Sequence, residues 1–140
     1  MNNETISMLI KKANDARAKS YCPYSGFAVG AALLCADGTI FTGANIENAS
    51  YTPTICAERV AFFQAVHAGH RDFTAIAIVG GSRGKDIDSL CTPCGVCRQV
   101  LREFCSLDFR ILLGTTEEVQ VFTLEDLLPA SFGPSDLKGV

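Results

Sequence analysis

The sequence has no basic stripe. Lysine and arginine total 12 against 15 acidic residues, and they are scattered apart from Lys11-Lys12, leaving a formal net charge of -3. Proteins that hold long nucleic acid neutralise its phosphates along a charged track, so nucleic acid is not an expected partner. Nor is there a membrane-length apolar run. The longest apolar stretch, interrupted only by Gly30, runs from Phe27 to Ala36, far short of the roughly 20 residues that span a bilayer. Met1-Asn2-Asn3-Glu4-Thr5 lacks the basic start and apolar core of a signal peptide, and the expectation is a soluble, cytoplasmic protein. A disulfide framework is missing too: seven cysteines is an odd number, and without a secretory segment thiols point to metal binding or packing. Linkers, repeats and low-complexity tracts are absent. With 140 residues, 48% of them hydrophobic, residues 1–140 are expected to form a single domain.

Hydrophobic spacing then gives the elements. Ile6, Leu9, Ile10, Ala13 and Ala16 recur at helical intervals and predict an amphipathic helix near residues 4–19. Phe27 to Cys35 reads as a buried strand, Asp37-Gly38 as a tight hairpin turn, and Thr39 to Ala44 as the returning strand. A polar stretch, Asn45 to Thr54, leads to a helix from about Ile55 to Ala68, with Gly69 as its stop. Phe73 to Val79 is a third strand. Gly80-Gly81-Ser82-Arg83-Gly84-Lys85 reads as a flexible turn, since it lacks the Gly-Lys-Ser/Thr ending of a phosphate loop. Thr92 is expected to cap a helix beginning at Pro93 and running to about Phe104. Strands at Phe109 to Leu113 and Val119 to Phe122, then a helical turn from Thr123, complete the chain. Alternating strands and helices predict a three-layer α/β/α sandwich, made mixed by its opening hairpin, around five strands.

Two short segments carry the chemistry: Cys56-Ala57-Glu58 and Pro93-Cys94-Gly95-Val96-Cys97. Three thiolates hold a zinc ion and leave its fourth tetrahedral position open. Glu58, two residues from Cys56, can then act on water at that position, the cysteine form of the zinc-deaminase signature. Cys94 and Cys97 share one face of a helix start, and Cys56 is expected in the first turn of another. Both helix starts favour thiolates. Zinc with three thiolates sums to a charge of about -1, which works against acidifying water there, so a group must draw charge off the sulfurs. Arg59 is the first candidate; Gln99 and Arg98 come next. A closed four-sulfur cage with Cys91 is the alternative, disfavoured because Pro93 sets Cys91 apart and Glu58 would have no task. Cys22, Cys35 and Cys105 read as packing residues.

The chain resembles the small homotetrameric zinc-dependent cytidine deaminases over nearly its whole length. The resemblance rests on Pro23-Tyr24-Ser25-Gly26-Phe27, Val29-Gly30-Ala31-Ala32, Asn45-Ile46-Glu47-Asn48-Ala49-Ser50-Tyr51, Cys56-Ala57-Glu58-Arg59, Pro93-Cys94-Gly95-Val96-Cys97-Arg98-Gln99 and Leu127-Leu128-Pro129. It implies Cys56, Cys94 and Cys97 as ligands of one Zn2+ per subunit and Glu58 as proton carrier. It also implies Asn45 and Glu47 on the ribose hydroxyls, Phe27 against the pyrimidine, and the Ala57 N–H on the base carbonyl. Tyr51 and Phe132 would complete pockets across subunit boundaries of a homotetramer. The implied reaction is hydrolysis of cytidine and deoxycytidine to uridine and deoxyuridine with loss of ammonia, in pyrimidine salvage. A carboxylate that is base first and acid later needs a pKa near the working pH. The rivals are a deaminase of a related nucleoside such as blasticidin, a deaminase of tRNA or single-stranded DNA, for which the acidic balance provides no track, and a structural zinc-binding interaction module. The tail from Gly133 to Val140 is expected to be loosely held.

Overall fold

The computed structural model describes residues 1–137. Helix α1 (Asn3–Ala16) starts where Asn2 Oδ1 accepts from the Thr5 N–H at 2.8 Å, and it buries Leu9, Ala13 and Ala16. A 3-10 turn, Arg17–Lys19, leads to the hairpin of β1 (Phe27–Cys35) and β2 (Ile40–Ala44). Then follow α2 (Ala57–His67), β3 (Phe73–Ser82), α3 (Gly95–Phe104), β4 (Arg110–Gly114), β5 (Val119–Thr123) and the single turn α4 (Leu124–Leu127). The sheet order is β2-β1-β3-β4-β5. Only β3 and β4 run parallel; the other three pairings are antiparallel.

Strand periodicity sorts residues onto two faces. Ala31, Leu33, Ile76, Ile78, Ile111 and Leu113 pack with Ala61, Phe62 and Leu101 of α2 and α3. Their neighbours Ala32, Ala77, Val79 and Leu112 pack with Leu9 and Ala13 of α1. The expected three layers and mixed sheet are therefore present. Phe62 anchors the larger core, with Phe73 at 4.9 Å and Phe109 at 6.2 Å between ring centroids.

Gly43 sets the helix that carries Cys56 and Glu58. A Cβ there would lie 2.5 Å from the Ala57 carbonyl oxygen and 2.7 Å from the Ala61 nitrogen. The first turn of α2 thus rests directly on β2. Upstream, Ile46 and Ile55 exchange both backbone hydrogen bonds at 3.0 Å. Ile55 is therefore a bridge residue, and α2 begins two residues later than its spacing predicts.

Two boundaries differ more. β3 runs on to Ser82, so Gly80, Gly81 and Ser82 are strand and not a flexible turn. They pair with Val29, Ala28 and Phe27 along the full length of β1. A Cβ on Gly80 would come within 2.7 Å of Cys91 Sγ, so a side chain the sequence does not pair with it makes the glycine necessary. α3 begins at Gly95, not Pro93, and its N-cap is Cys94, not Thr92. The Arg98 N–H donates to the Cys94 carbonyl at 3.0 Å, while Pro93's carbonyl accepts from Arg98 Nε at 2.7 Å. Of the tail, Pro134–Leu137 forms a 3-10 turn, with the Gly133 N–H donating to Asp136. Residues 138–140 lie outside the described part of the chain.

Candidate active site

Cys56 and Cys94 are the N-caps of α2 and α3, and Cys97 follows in the first turn of α3. One ligand atom from each of the three lies within 4.8 Å of the others. Cys56 Sγ is 3.8 Å from Cys94 Sγ, which is 3.6 Å from Cys97 Sγ. Zinc–sulfur bonds of about 2.3 Å at tetrahedral angles put sulfurs about 3.8 Å apart, which both of these spacings match. Cys97 is buried, Cys56 half-buried and Cys94 exposed, so the centre opens on the Cys94 side. Cys91 stands outside the triad, its sulfur against Gly80.

Electrostatics supports the same ion. The Cys97 thiol, the Arg59 guanidinium and Cys94 all hydrogen-bond to Cys56 and, against the effect of burial, pull its pKa down to about 5. Cys97 moves the opposite way, through its bond to Cys56 and burial. Cys56 is thus the sulfur whose surroundings favour the thiolate most, and an ion held there would bind the thiolate forms. Arg59 Nη2 donates to Cys56 Sγ at 3.4 Å, as its spacing predicts. Burial would lower the Arg59 pKa, but the two sulfurs outweigh it and raise it. Its Nε is buried without a hydrogen-bond partner. Gln99 and Arg98 do not reach the sulfurs. Gln99 Nε2 donates to the Phe132 carbonyl at 2.9 Å, and Arg98 Nη1 to that of Leu127 at 2.6 Å.

Glu58 is 4% exposed, an unusual state for a carboxyl group. Burial pushes its pKa up to about 6, the Cys56 charge adds to the rise, and its own N–H, Cys97 and Arg59 oppose it. A group with that value holds a proton for part of the time at neutral pH and can both take and give one. Ala57, fully buried, is the first residue of α2, and helix-initial N–H groups lack intrahelical partners.

The remaining residues named from the sequence fall into three groups. Asn45 is 9% exposed: its Oδ1 accepts from the Val29 N–H at 2.9 Å and the Ser20 hydroxyl at 2.6 Å, and its Nδ2 donates to the Phe27 carbonyl at 2.8 Å. It thus braces the start of β1, where Phe27 is exposed, and retains one amide N–H. Glu47 accepts from the Tyr24 and Ser25 N–H groups at 2.9 and 3.1 Å and from the Ser25 hydroxyl. The Ser25 hydroxyl leads in holding its pKa below the usual carboxylate range. Glu47 and Tyr51 line a cavity of about 300 Å³ with Tyr24, Ser25, Asn48 and Thr54. Phe132 is 60% exposed and tied through its carbonyl to Gln99; it does not line that cavity. Larger cavities of about 490 and 500 Å³ contain neither Glu58 nor any cysteine.

Sequence reasoning did not assign Ser20 and Ser25, the hydroxyls that orient Asn45 and Glu47. Ser25 stands within the quoted Pro23-Tyr24-Ser25-Gly26 segment, so a signal was present. Ser20 gives none, because its partner is 25 residues away.

Comparison with known proteins agrees with this geometry. Residues 3–112 match the family described as "Cytidine and deoxycytidylate deaminase zinc-binding region". A cytidine deaminase of Halalkalibacterium halodurans is 49% identical over 131 residues, covering 93% of this chain and 96% of that protein. A probable cytidine deaminase of Dictyostelium discoideum is 40% identical over 138 residues, or 98% and 90% of the two chains. Among solved structures, the cytidine deaminase from Burkholderia pseudomallei superposes with a TM-score of 0.82 at 44% identity, covering 94% of this chain and all of that one.

Proposed function

The chain belongs to the cytidine and deoxycytidylate deaminase zinc-binding family, and from that premise we propose that it hydrolyses cytidine and deoxycytidine to uridine and deoxyuridine, releasing ammonia. The observation that carries the reading is the buried Glu58 in the first turn of the helix that Cys56 caps, together with sulfurs spaced for a tetrahedral ion. Cys56, Cys94 and Cys97 would hold a zinc ion, which would supply the Lewis acid that makes water nucleophilic near neutral pH. Glu58 takes the proton that water gives up and delivers it to the ring nitrogen N3 as C4 is attacked. It then carries a second proton, given up by the hydroxyl added at C4 as the carbonyl forms, to the exocyclic amine, which leaves as ammonia. Water and nucleoside thus become ammonia and the keto product with every proton passed through one carboxylate.

Asn45 and Glu47 each keep one hydrogen-bonding position. Asn45 has a single unused N–H, and Glu47 has three of its roughly four lone-pair sites taken. A donor and an acceptor suit ribose hydroxyls, which do both. Phe27 offers an exposed ring for the pyrimidine, and the Ala57 N–H a donor for the base carbonyl. These roles favour a plain nucleoside over a bulkier substrate such as blasticidin. Tyr51, at 77% exposure, and Phe132, at 60%, leave large aromatic surface in a single chain. Such surface supports a homotetramer in which they complete pockets of neighbouring subunits. Seven unpaired cysteines suit a reducing, cytoplasmic setting, and a free-nucleoside substrate suits salvage. No helix among the described residues is long and apolar enough to cross a membrane.

Ammonia and uridine release from cytidine tests the reading. Glu58→Gln is expected to keep zinc and bind substrate while losing about 100- to 10,000-fold in turnover, the usual share of acid–base catalysis. A variant that retains most of its turnover removes Glu58 from the mechanism.

A further inference from the structure

A second set of ligand side chains lies at the opposite end of α2. One ligand atom each from Cys35, Asp37 and His70 lies within 4.8 Å of the other two. Cys56 caps the start of α2 and His70 follows its end, so the two clusters are separated by eleven helical residues, about 16 Å.

The three side chains come from segments fixed by their own backbones. Cys35 ends β1 and is buried; its N–H donates to the Thr39 carbonyl at 2.8 Å and its carbonyl accepts from the Gly38 N–H at 3.0 Å. Asp37 Oδ1 is taken by the Thr39 N–H at 2.9 Å, which turns Oδ2 toward His70 Nε2 at 3.2 Å. His70 is tied back to α2 through its N–H on the Ala65 carbonyl at 3.0 Å, and its ring packs edge-on against Phe41 at 5.1 Å. Two ligands of one tetrahedral zinc lie about 3.3 Å apart, so His70 Nε2 and Asp37 Oδ2 already stand at the spacing that an ion between them requires.

We propose that Cys35, Asp37 and His70 form a second metal site, taking a borderline divalent cation of the zinc class, with water completing four-coordination. Thiolate, imidazole and carboxylate are all zinc ligands, and the thiolate disfavours magnesium and calcium. A +2 ion with one thiolate, one carboxylate and a neutral imidazole is electrically balanced. No arginine is needed there, in contrast to the three-sulfur centre. On binding, the Cys35 thiol gives its proton to solvent and no oxidation state changes. The ion would tie the β1–β2 turn to the segment between α2 and β3. It is therefore a brace on the sheet, and it does not depend on the reaction proposed above.

The test is titration of the fully zinc-loaded protein with Co(II), followed by absorbance, by metal analysis after gel filtration and by thermal melting. One cobalt per chain beyond the retained zinc is expected, with a thiolate-to-cobalt charge-transfer band in the near ultraviolet and a rise in Tm. His70→Gln and Asp37→Asn, at less buried positions than Cys35, are expected to weaken that uptake at least tenfold with zinc content and kcat unchanged. Cys35→Ser is expected to abolish the band. Absence of any uptake beyond the retained zinc overturns the proposal. So does uptake that His70→Gln and Asp37→Asn share undiminished with the wild type.

Discussion

Replacing Arg59 with methionine keeps much of the side chain's apolar length and removes its charge. Arg59 Nη2 stands 3.4 Å from Cys56 Sγ, in a centre that sums to about -1 once zinc meets three thiolates. A hydrogen bond to a charged group contributes about 1.5–3 kcal/mol, which corresponds to roughly 10- to 150-fold in rate if it is felt wholly in the transition state. Arg59 is only partly buried, so solvent screening moves the expectation toward the lower end. A loss of about 10- to 30-fold in kcat follows, in line with the cost of removing partners of metal ligands. Stability is expected to change little. The substitution forfeits the sulfur bond but also removes Nε, a buried donor with no partner, whose burial costs about 1–3 kcal/mol. Steady-state kinetics with cytidine, zinc content by mass spectrometry and urea melts separate these effects. A variant with zinc retained and kcat within twofold of wild type would refute the charge-draining argument. A variant that loses turnover only because it unfolds would refute it equally.

Gly43→Ala sets a Cβ 2.5 Å from the Ala57 carbonyl oxygen, backbone that cannot yield as a side chain tip does. Overpacking of about 1–3 kcal/mol is expected in urea melts, together with lower kcat because the same turn carries Cys56 and Glu58; an unchanged midpoint would show that α2 does not bear on β2. Chelation is expected to abolish activity and lower Tm while circular dichroism still reports the fold, with activity restored by zinc; loss of the fold itself would mark the metal as structural. The Thr123 N–H and hydroxyl hold the Asp126 carboxyl below its ordinary value. The stabilisation this provides is complete above the unfolded pKa, about 4, and disappears as pH falls through the folded value. Asp126→Asn, which removes the titrating group, is therefore expected to flatten the acid limb of Tm against pH between 2 and 6, and an identical limb would contradict the capping assignment.

Much of this was readable because periodicity and ligand spacing are local. The alternation of Ala31, Ala32 and Leu33 between two cores, and the i to i+3 relation of Cys94 and Cys97, follow from backbone repeat alone. So does Arg59 on Cys56, one helical turn away. What the sequence pattern does not record has a different cause. Gly80 belongs to a strand because Cys91 packs where its side chain would be, and Asn45 braces β1, besides the role proposed for it, because Ser20, Val29 and Phe27 converge on it. These partners lie 11 to 25 residues distant in the chain, and no short-range pattern records them. Proximity in sequence sets Gln99 near the sulfurs, yet its amide donates to the Phe132 carbonyl, 33 residues on.

The helix starts that misled the boundary assignments also explain the site. Pro93 after Thr92 has the form of a capped N-terminus, and a serine-like cap adds about 1 kcal/mol. The structure instead puts Cys94 at that position, and Cys56 at the equivalent one of α2, with no side-chain cap hydrogen bond at either. A thiol is a poor acceptor for backbone N–H groups, so both helices forgo a capping bond. The positive ends of their dipoles are left facing the sulfurs, where they favour thiolate and, with Arg59, offset a surplus of negative charge. The same positions that weaken each helix as an isolated element therefore lower the cost of assembling three thiolates. Stability lost at the caps would return on binding an ion there, so the fold of α2 and α3 and the chemistry proposed for Glu58 would be coupled through one set of bonds.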